Sequence, residues 1–499
     1  MGVDAAKIQG LNDTNWHADV RIYNPSAFPT SIWLEFLPVG TNNVDPFKVG
    51  PYQPPLVPKG TLVLDDILQW VKTYFGQDFS KTALRFTYKT DDNVPPIVTI
   101  RTYNLRPDGS KYGQINAGVN VVPGTTLSPQ WITGLRNNGM TDGFRTNYSI
   151  VNLHGDSGGI GGITFTLFDE TGAPRGTRTF GLAPFGYIQD SIKNLFGAGF
   201  ENIGTFSLKI EIPTGEDVQT YASVMDNHTG DPVMIPATTP PDSPIYLPAI
   251  AHLSGEANTV WRSDLQLTNP DGNGPHTWEI RYTPKGTSFA VIARSITLAP
   301  EKSVFIDDLV SWAYDGSASP LPADAQTSGI VRIAPVDGTN VYPIVAARSF
   351  NLTPVGTFGQ GIPPLSAVKG VSAPDPTRLV LAGMSSEDIA RTNLGFVNLS
   401  ETQGVNFVVY FYDEGGRVLN PPGIDGQPKP YTFAIPAGTW DQDKLENRFR
   451  NAFKVALPAN LRAVTAEIRV TDGGPGFAYA SVIDNKTGDP NFIPAQLTP

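Results

Sequence analysis

The sequence predicts an all-β chain of four tandem β-sandwich modules, Ig-like or jelly-roll-like, each with one short helix. Three observations predict it. Apolar Trp16, Ala18, Val20 and Ile22 alternate with His17, Asp19, Arg21 and Tyr23, the period of a strand with one buried and one wet face. Turn signals punctuate such runs: 50 glycines and 45 prolines in 499 residues exceed the ordinary share of about 12%. Third, the stretch YASVMDNHTGDPVMIPA at Tyr221–Ala237 recurs as YASVIDNKTGDPNFIPA at Tyr479–Ala495, about half a chain away. A period that long means duplicated domains, not a solenoid of short units.

The repeat order is A-B-A′-B′. Trp16–Pro25 is answered by Trp261–Pro270, Leu62–Leu68 by Val304–Val310, Arg101–Leu105 by Arg348–Leu352, and Phe144–Leu153 by Ala390–Leu399. A shared strand pattern starting at Trp16, Phe144, Trp261 and Ala390 relates A to B as well. The boundaries fall near 122, 241 and 370, giving A as 1–122, B as 123–241, A′ as 242–370 and B′ as 371–499. The joints Asn120–Pro129, Ala237–Pro244 and Ser372–Pro376 are rich in proline and read as short stiff spacers. A semi-rigid rod of four beads is the expected arrangement.

Strands continue through Ser31–Leu37, Thr205–Ile212 and Val464–Val470, with turns at Phe168–Pro174, Tyr282–Ser288 and Tyr412–Val418. One helix per module follows an aspartate: ILQWVKTYF, DSIKNLF, LVSWAY and WDQDKLENRF. Asp65, Asp66, Asp190, Asp307, Asp308 and Asp441 therefore read as caps for free backbone N–H groups. Asn24, Asn152, Asn269 and Asn398 end strands and read as turn residues. Asp19, Asn147, Asp264 and Asn393 lie opposite the apolar faces, beside Arg21, Arg145, Arg262 and Arg391. They read as cross-strand pairs, with a ligand groove as the alternative.

Composition excludes several classes. There is no cysteine, hence no disulfide, thiol nucleophile or Cys-based zinc site. A net charge of −11 without a Lys/Arg cluster excludes nucleic-acid binding. No apolar run is long enough to span a membrane, and no basic-then-apolar leader is present in the sequence given. The charged fraction of 17% is below the typical ~25% and leaves self-association open.

Gly155–Gly159 reads GDSGG and looks like the nucleophile segment of serine proteases. Only His17 and His154 precede Ser157, and the stretch occupies the place of the loops Asp271–Pro275 and Ser400–Gly404, so a hairpin loop accounts for it. The repeated DNxTGDP loop, Asp226–Pro232 and Asp484–Pro490, reads as a tight turn: Asx side chains bond nearby backbone, glycine takes positive φ and proline fixes the exit. The alternative is a weak calcium site on Asp226, Asp231, Asp484 and Asp489; no other cofactor is expected. Trp33, Trp70, Trp131, Trp278, Trp312 and Trp440 are candidates for stacking on sugars, whereas Trp16 and Trp261 fit the buried face of a strand.

The signatures WRxDLxLxNP, DDLV and DNxTGDPxFIPA resemble tandem β-sandwich modules of uncharacterised secreted bacterial proteins. The resemblance implies an extracellular or cell-surface setting and carries over no catalytic residue. The expected function is a non-enzymatic structural, adhesive or self-assembling surface protein, with copies of itself or cell-surface and matrix components as partners. A carbohydrate-binding module array, with polysaccharide as partner, is the alternative, and a hydrolase of unknown class is the third reading.

Overall fold

The computed structural model describes residues 2–10, 13–40, 42–121, 124–139, 143–155, 158–286 and 290–499. The chain is all-β, with antiparallel sheets and four α-helices among the described residues. The first predicted alternation becomes the strand Asn15–Tyr23, paired with Ile97–Leu105, which pairs in turn with Lys111–Ala117. A second sheet of segment A joins Gly2–Ala6, Lys81–Lys89, Ser31–Pro38 and Phe47–Val49. Ala18, Val20 and Ile22 from the first sheet meet Ile32, Leu34 and Phe36 from the second in one buried core. Each large apolar side chain so buried contributes roughly 1.5–3 kcal/mol. Segment B builds its core the same way, with Ile132, Phe165 and Leu208 against Ile150, Ala222 and Val224. In A′ the strand Ile245–Ser254 pairs with both Thr327–Pro335 and Val260–Thr268, so the sheets run on as one of eight strands.

Two compact units emerge. Unit 1 comprises Met1–Pro38, Asp45–Asn120 and Ala367–Pro499; unit 2 comprises Val39–Val44 and Val121–Ser366. Segment A thus packs with B′, and B with A′. The expected rod of four beads is corrected: the first and last quarters of the chain share a unit.

The helices are α1 (Ile67–Phe75), α2 (Ile192–Phe196), α3 (Leu309–Tyr314) and α4 (Leu445–Phe453). Asp66 and Asp308 cap α1 and α3 as expected, accepting from the Gln69 and Ser311 N–H groups. Asp66 is also held by Lys7 and His17, Asp308 by His252 and Arg262. Lys7 is the counterpart of His252 and His17 that of Arg262, so the histidine and its basic neighbour trade places while the carboxylate stays. Four other caps are corrected. Asp307 precedes the capping residue of α3, which is Asp308. Ser191, not Asp190, caps α2. Asp65 faces away from α1 to pair with Arg21. Asp441 lies in the strand Trp440–Lys444 and binds Arg448, because α4 starts four residues after it, at Leu445.

The strand-ending asparagines do more than turn the chain. Asn24, Asn152, Asn269 and Asn398 are fully buried. The Asn24 amide donates to the carbonyls of Phe28, Leu56 and Val57, that of Asn269 to Gly274, Leu298 and Ala299, and that of Asn398 to Gln403, Ile435 and Pro436. Each ties a loop to a distant strand end and satisfies carbonyls that burial would otherwise leave unpaired.

Candidate functional site: the clasps and the junction cavity

The DNxTGDP loops fold as the turn the sequence predicts. The Asp226 N–H donates to the Asp231 carbonyl at 3.0 Å, and the Asp484 N–H to the Asp489 carbonyl at 2.9 Å. Asp226 Oδ1 accepts from the N–H groups of His228 and Thr229, and Asp484 Oδ1 from those of Lys486 and Thr487. Gly230 and Gly488 take φ of 76° and 71°, where a Cβ is disfavoured.

The outward oxygens grip a neighbouring segment. In unit 2, Asp226 Oδ2 accepts from the Thr357 N–H at 2.9 Å and its hydroxyl at 2.7 Å. Asp231 Oδ2 accepts from the Gly359 N–H at 2.7 Å, and the Thr229 hydroxyl donates to the Thr357 carbonyl. In unit 1, Asp489 accepts from the Gly113 N–H at 3.0 Å, Asp484 from the Lys111 N–H at 3.4 Å, and Lys486 donates to the Asp108 carbonyl. The matching stretches YGQ (Tyr112–Gln114) of A and FGQ (Phe358–Gln360) of A′ are therefore the sockets of the DNxTGDP loops of B′ and B. Among the described residues no group of three or more His, Cys, Asp or Glu is placed to hold a metal ion. The four aspartates of the alternative calcium reading, Asp226, Asp231, Asp484 and Asp489, turn oxygens to N–H and O–H donors.

A second contact recurs. The Thr61 N–H donates to the Glu414 carbonyl at 2.9 Å in unit 1, and the Ser303 N–H to the Glu170 carbonyl at 3.1 Å in unit 2. Both acceptors lie in the predicted turns Tyr412–Val418 and Phe168–Pro174. Glycine is required there: Gly416 and Gly172 have φ of 82° and 86°, and a Cβ would sit 2.5 Å from the Pro58 carbonyl or 2.6 Å from that of Pro300.

Between clasp and turn the two units diverge. In unit 2, Arg136 fills the space, its guanidinium 3.8 Å from the Phe144 ring centre and 4.9 Å from that of Phe305. Only about 20 Å³ remains. Burial pulls Arg136 down to about 10, with repulsion from Arg348 adding and attraction to Asp264 opposing, which leaves it charged at neutral pH. In unit 1 the matching residues are Ser385, Ala390 and Val63, and a cavity of about 200 Å³ opens. Five of its eighteen lining residues are basic (Arg21, Arg101, Lys111, Arg462 and Lys486), and four are acidic (Asp19, Asp65, Glu387 and Asp484). Burial alone would raise the Asp65 carboxyl, but Arg21 at 2.8 Å and Arg462 outweigh it and hold it below the usual carboxylate range.

The strand-borne row meets mixed outcomes. Asp264 faces Arg348 in register and binds it through Nε at 3.1 Å and a terminal nitrogen at 3.0 Å. Asp19 faces Arg101 in register but bonds Tyr103 and Lys111 instead. Asn147 and Asn393 lie opposite Ser223 and Ser481, and Arg145 and Arg391 bind Asn227 and Asn485 of the clasp loops. Of the tryptophans, Trp131, Trp278 and Trp440 are buried and not available for stacking, while Trp33, Trp70 and Trp312 are half-buried. Asp156 and Ser157 of the GDSGG stretch lie outside the described residues. His252, Asp308 and Ser311 cluster, but Asp308 and Ser311 both approach the same ring nitrogen, Nδ1, whereas a proton relay needs the two on opposite nitrogens. No helix among the described residues is long and apolar enough to cross a membrane.

No family model matches this chain, and no curated protein does. Two solved structures give distant similarities. One is dimeric latent PorU from Porphyromonas gingivalis, at 11% identity and a TM-score of 0.13, over 80% of this chain and 31% of that one. The other is a chain of the T13 IBDV viral particle, at 10% identity and a TM-score of 0.12, over 76% and 78%.

Proposed function

We propose that this chain is a non-enzymatic structural protein of four β-sandwich modules, working outside the cell and assembling through its clasps. The observation that carries this reading is the recurrence of one contact set at two places. The B loop grips A′, to which it is joined by a short proline-rich joint, and the B′ loop grips A, the far end of the sequence. Nothing in the second contact depends on a direct tether, so B′ of one chain fits A of another with the same hydrogen bonds. Within one chain the effective concentration of the two ends favours closure. At high concentration, exchange between copies costs little, as in domain swapping.

Refolding from denaturant at low and at high protein concentration, followed by size-exclusion chromatography with light scattering, tests this reading. Dimers and larger species that form only at high concentration are expected, and they should disappear when Asp484 and Asp489 are both replaced by alanine. A chain that stays monomeric under every condition overturns the assembly role.

A further inference from the structure

The junction cavity of unit 1 is the feature that the clasps do not explain. The same place in unit 2 is closed by an arginine between two phenylalanine rings, so the fold has a well-packed solution that unit 1 does not use. Its space, about 200 Å³, is enough for several waters or one sugar ring. Arg101 supplies a second, independent signal. Its twin Arg348 is clamped by Asp264 through two nitrogens. Arg101 has no carboxylate clamp: Asp19 opposite it is engaged by Tyr103 and Lys111, its ion pair with Asp489 is long at 3.8 Å, one terminal nitrogen donates to the Lys111 carbonyl at 3.3 Å, and its Nε makes no hydrogen bond. Complete burial also raises the Asp489 carboxyl well above the usual range, which weakens it further as a counter-ion. Lys111 and Lys486 stand in the same lining.

The lining also selects against simple anions. Asp19, Asp65, Glu387 and Asp484 would repel a dianion such as phosphate, while their oxygens, with Ser385 and Asn491, suit hydroxyl groups. Ile115, Ile389 and Val482 add apolar surface for a ring face.

We propose that the cavity between segments A and B′ binds one acidic sugar unit, a hexuronate, with its carboxylate on Arg101 and its hydroxyls on the acidic and amide side chains around it. A bidentate arginine–carboxylate pair is the strong contact of such a site. Among the described residues the site lies in unit 1 and not in unit 2, where Arg136 occupies its counterpart.

Isothermal titration of the full chain with glucuronate tests the assignment, with glucose, acetate and inorganic phosphate as comparison ligands. Binding of glucuronate in the millimolar range or tighter, at least tenfold stronger than any of the other three, is expected. Two variants locate it. Ser385→Arg rebuilds the plug that unit 2 tolerates, and Arg101→Met keeps the apolar stem without the charge; each is expected to weaken binding at least tenfold with little change in melting temperature. Absence of glucuronate binding at about 10 mM overturns the proposal. So does equal binding of glucose, of acetate or of phosphate. Undiminished binding by a folded Ser385→Arg variant overturns the location.

Discussion

Unit 1 and unit 2 are held by the same backbone contacts and sealed by different chemistry. Along the seam of unit 2, Trp131 and Phe168 pack with Ile344, the hydroxyls of Thr133 and Thr268 meet at 2.6 Å, and Arg136 closes the junction. At the matching place in unit 1, Glu467 receives the Tyr23 hydroxyl at 2.9 Å, Lys59 at 2.7 Å and Arg378 at 3.1 Å, and the junction is hollow. Duplication first makes such seams equal. The shared backbone hydrogen bonds and close-approach glycines hold the docking geometry in both units, while the side chains between them differ from one copy to the other.

The largest break is expected at Glu467. Replacing it by leucine strands Lys59 and Arg378 in a buried setting, and removing one partner of such a network costs about 3–5 kcal/mol. Its counterpart Lys209, half-exposed over Trp131 at 5.9 Å, should cost less than about 0.5 kcal/mol when changed to leucine. Urea unfolding of both variants measures the gap, and equal losses would erase the distinction between the seams.

The clasps come next. Asp226→Ala removes an acceptor from both donors of Thr357 and should cost about 2–3 kcal/mol. Asp484→Ala should cost about 1–2 kcal/mol, because its outward bond is single and long; each buried donor left unpaired costs about 1–3 kcal/mol. Arg136→Ser should then cost about 1–2 kcal/mol, the worth of a desolvated cation–π contact, and open in unit 2 a space resembling that of unit 1. A crystal structure of the variant would show water there; collapse of Phe144 and Phe305 into the gap would mean that unit 1 needs more than small side chains to stay hollow.

The smallest effect is in pH. His276 bridges Asp271 at 2.9 Å and Asp337 at 3.1 Å. Burial by itself lowers its pKa, but the two carboxylates outweigh this and raise it above 6.5. A raised histidine contributes stability that is full below its unfolded pKa and is lost as pH climbs through the folded one. His276→Ala should therefore destabilise most near pH 6 and least near pH 9, read from melting curves across that range. In unit 1 the corresponding Asp92 is bound by Ser26 at 2.8 Å, a neutral partner, so Ser26→Ala should show no such slope between pH 6 and 9.

How far the sequence revealed this depends on whether the information is local. The DNxTGDP turn and the caps at Asp66 and Asp308 rest on neighbours within a few residues, and the structure has them; the strand at Asn15–Tyr23 forms where alternation placed it, but its expected wet face is corrected, because His17, Asp19 and Tyr23 are buried as well and Trp16 is only half-buried. The cap at Asp441 misled because a carboxylate before an apolar helical pattern looks the same whether it ends a strand or starts a helix; Arg448 decided, and its pairing is tertiary. Trp131, Trp278 and Trp440 could not be separated from Trp33 by pattern, since exposure of an aromatic depends on what the other sheet brings above it. The partner of the clasp loop was visible in one respect: B and B′ carry DNxTGDP where A and A′ carry FGQ or YGQ, two motifs that never share a segment. What could not be read was the pairing of A with B′, because a contact between residues 113 and 489 leaves no local trace. The cavity was hidden for the same reason. Ser385, Ala390 and Val63 are unremarkable small residues until set beside Arg136, Phe144 and Phe305.

The division of labour between loop and socket has a counting consequence. Every B-type segment offers one plug and every A-type segment one receptacle, so the molecule has no valence to spare. Adding or deleting a single module would leave an unmatched plug or receptacle and hand the chain a sticky end, whereas adding an A-B pair would restore the balance. A truncated product would then find its partner in another truncated copy with the complementary end free, not in an intact chain whose plugs and receptacles are already paired.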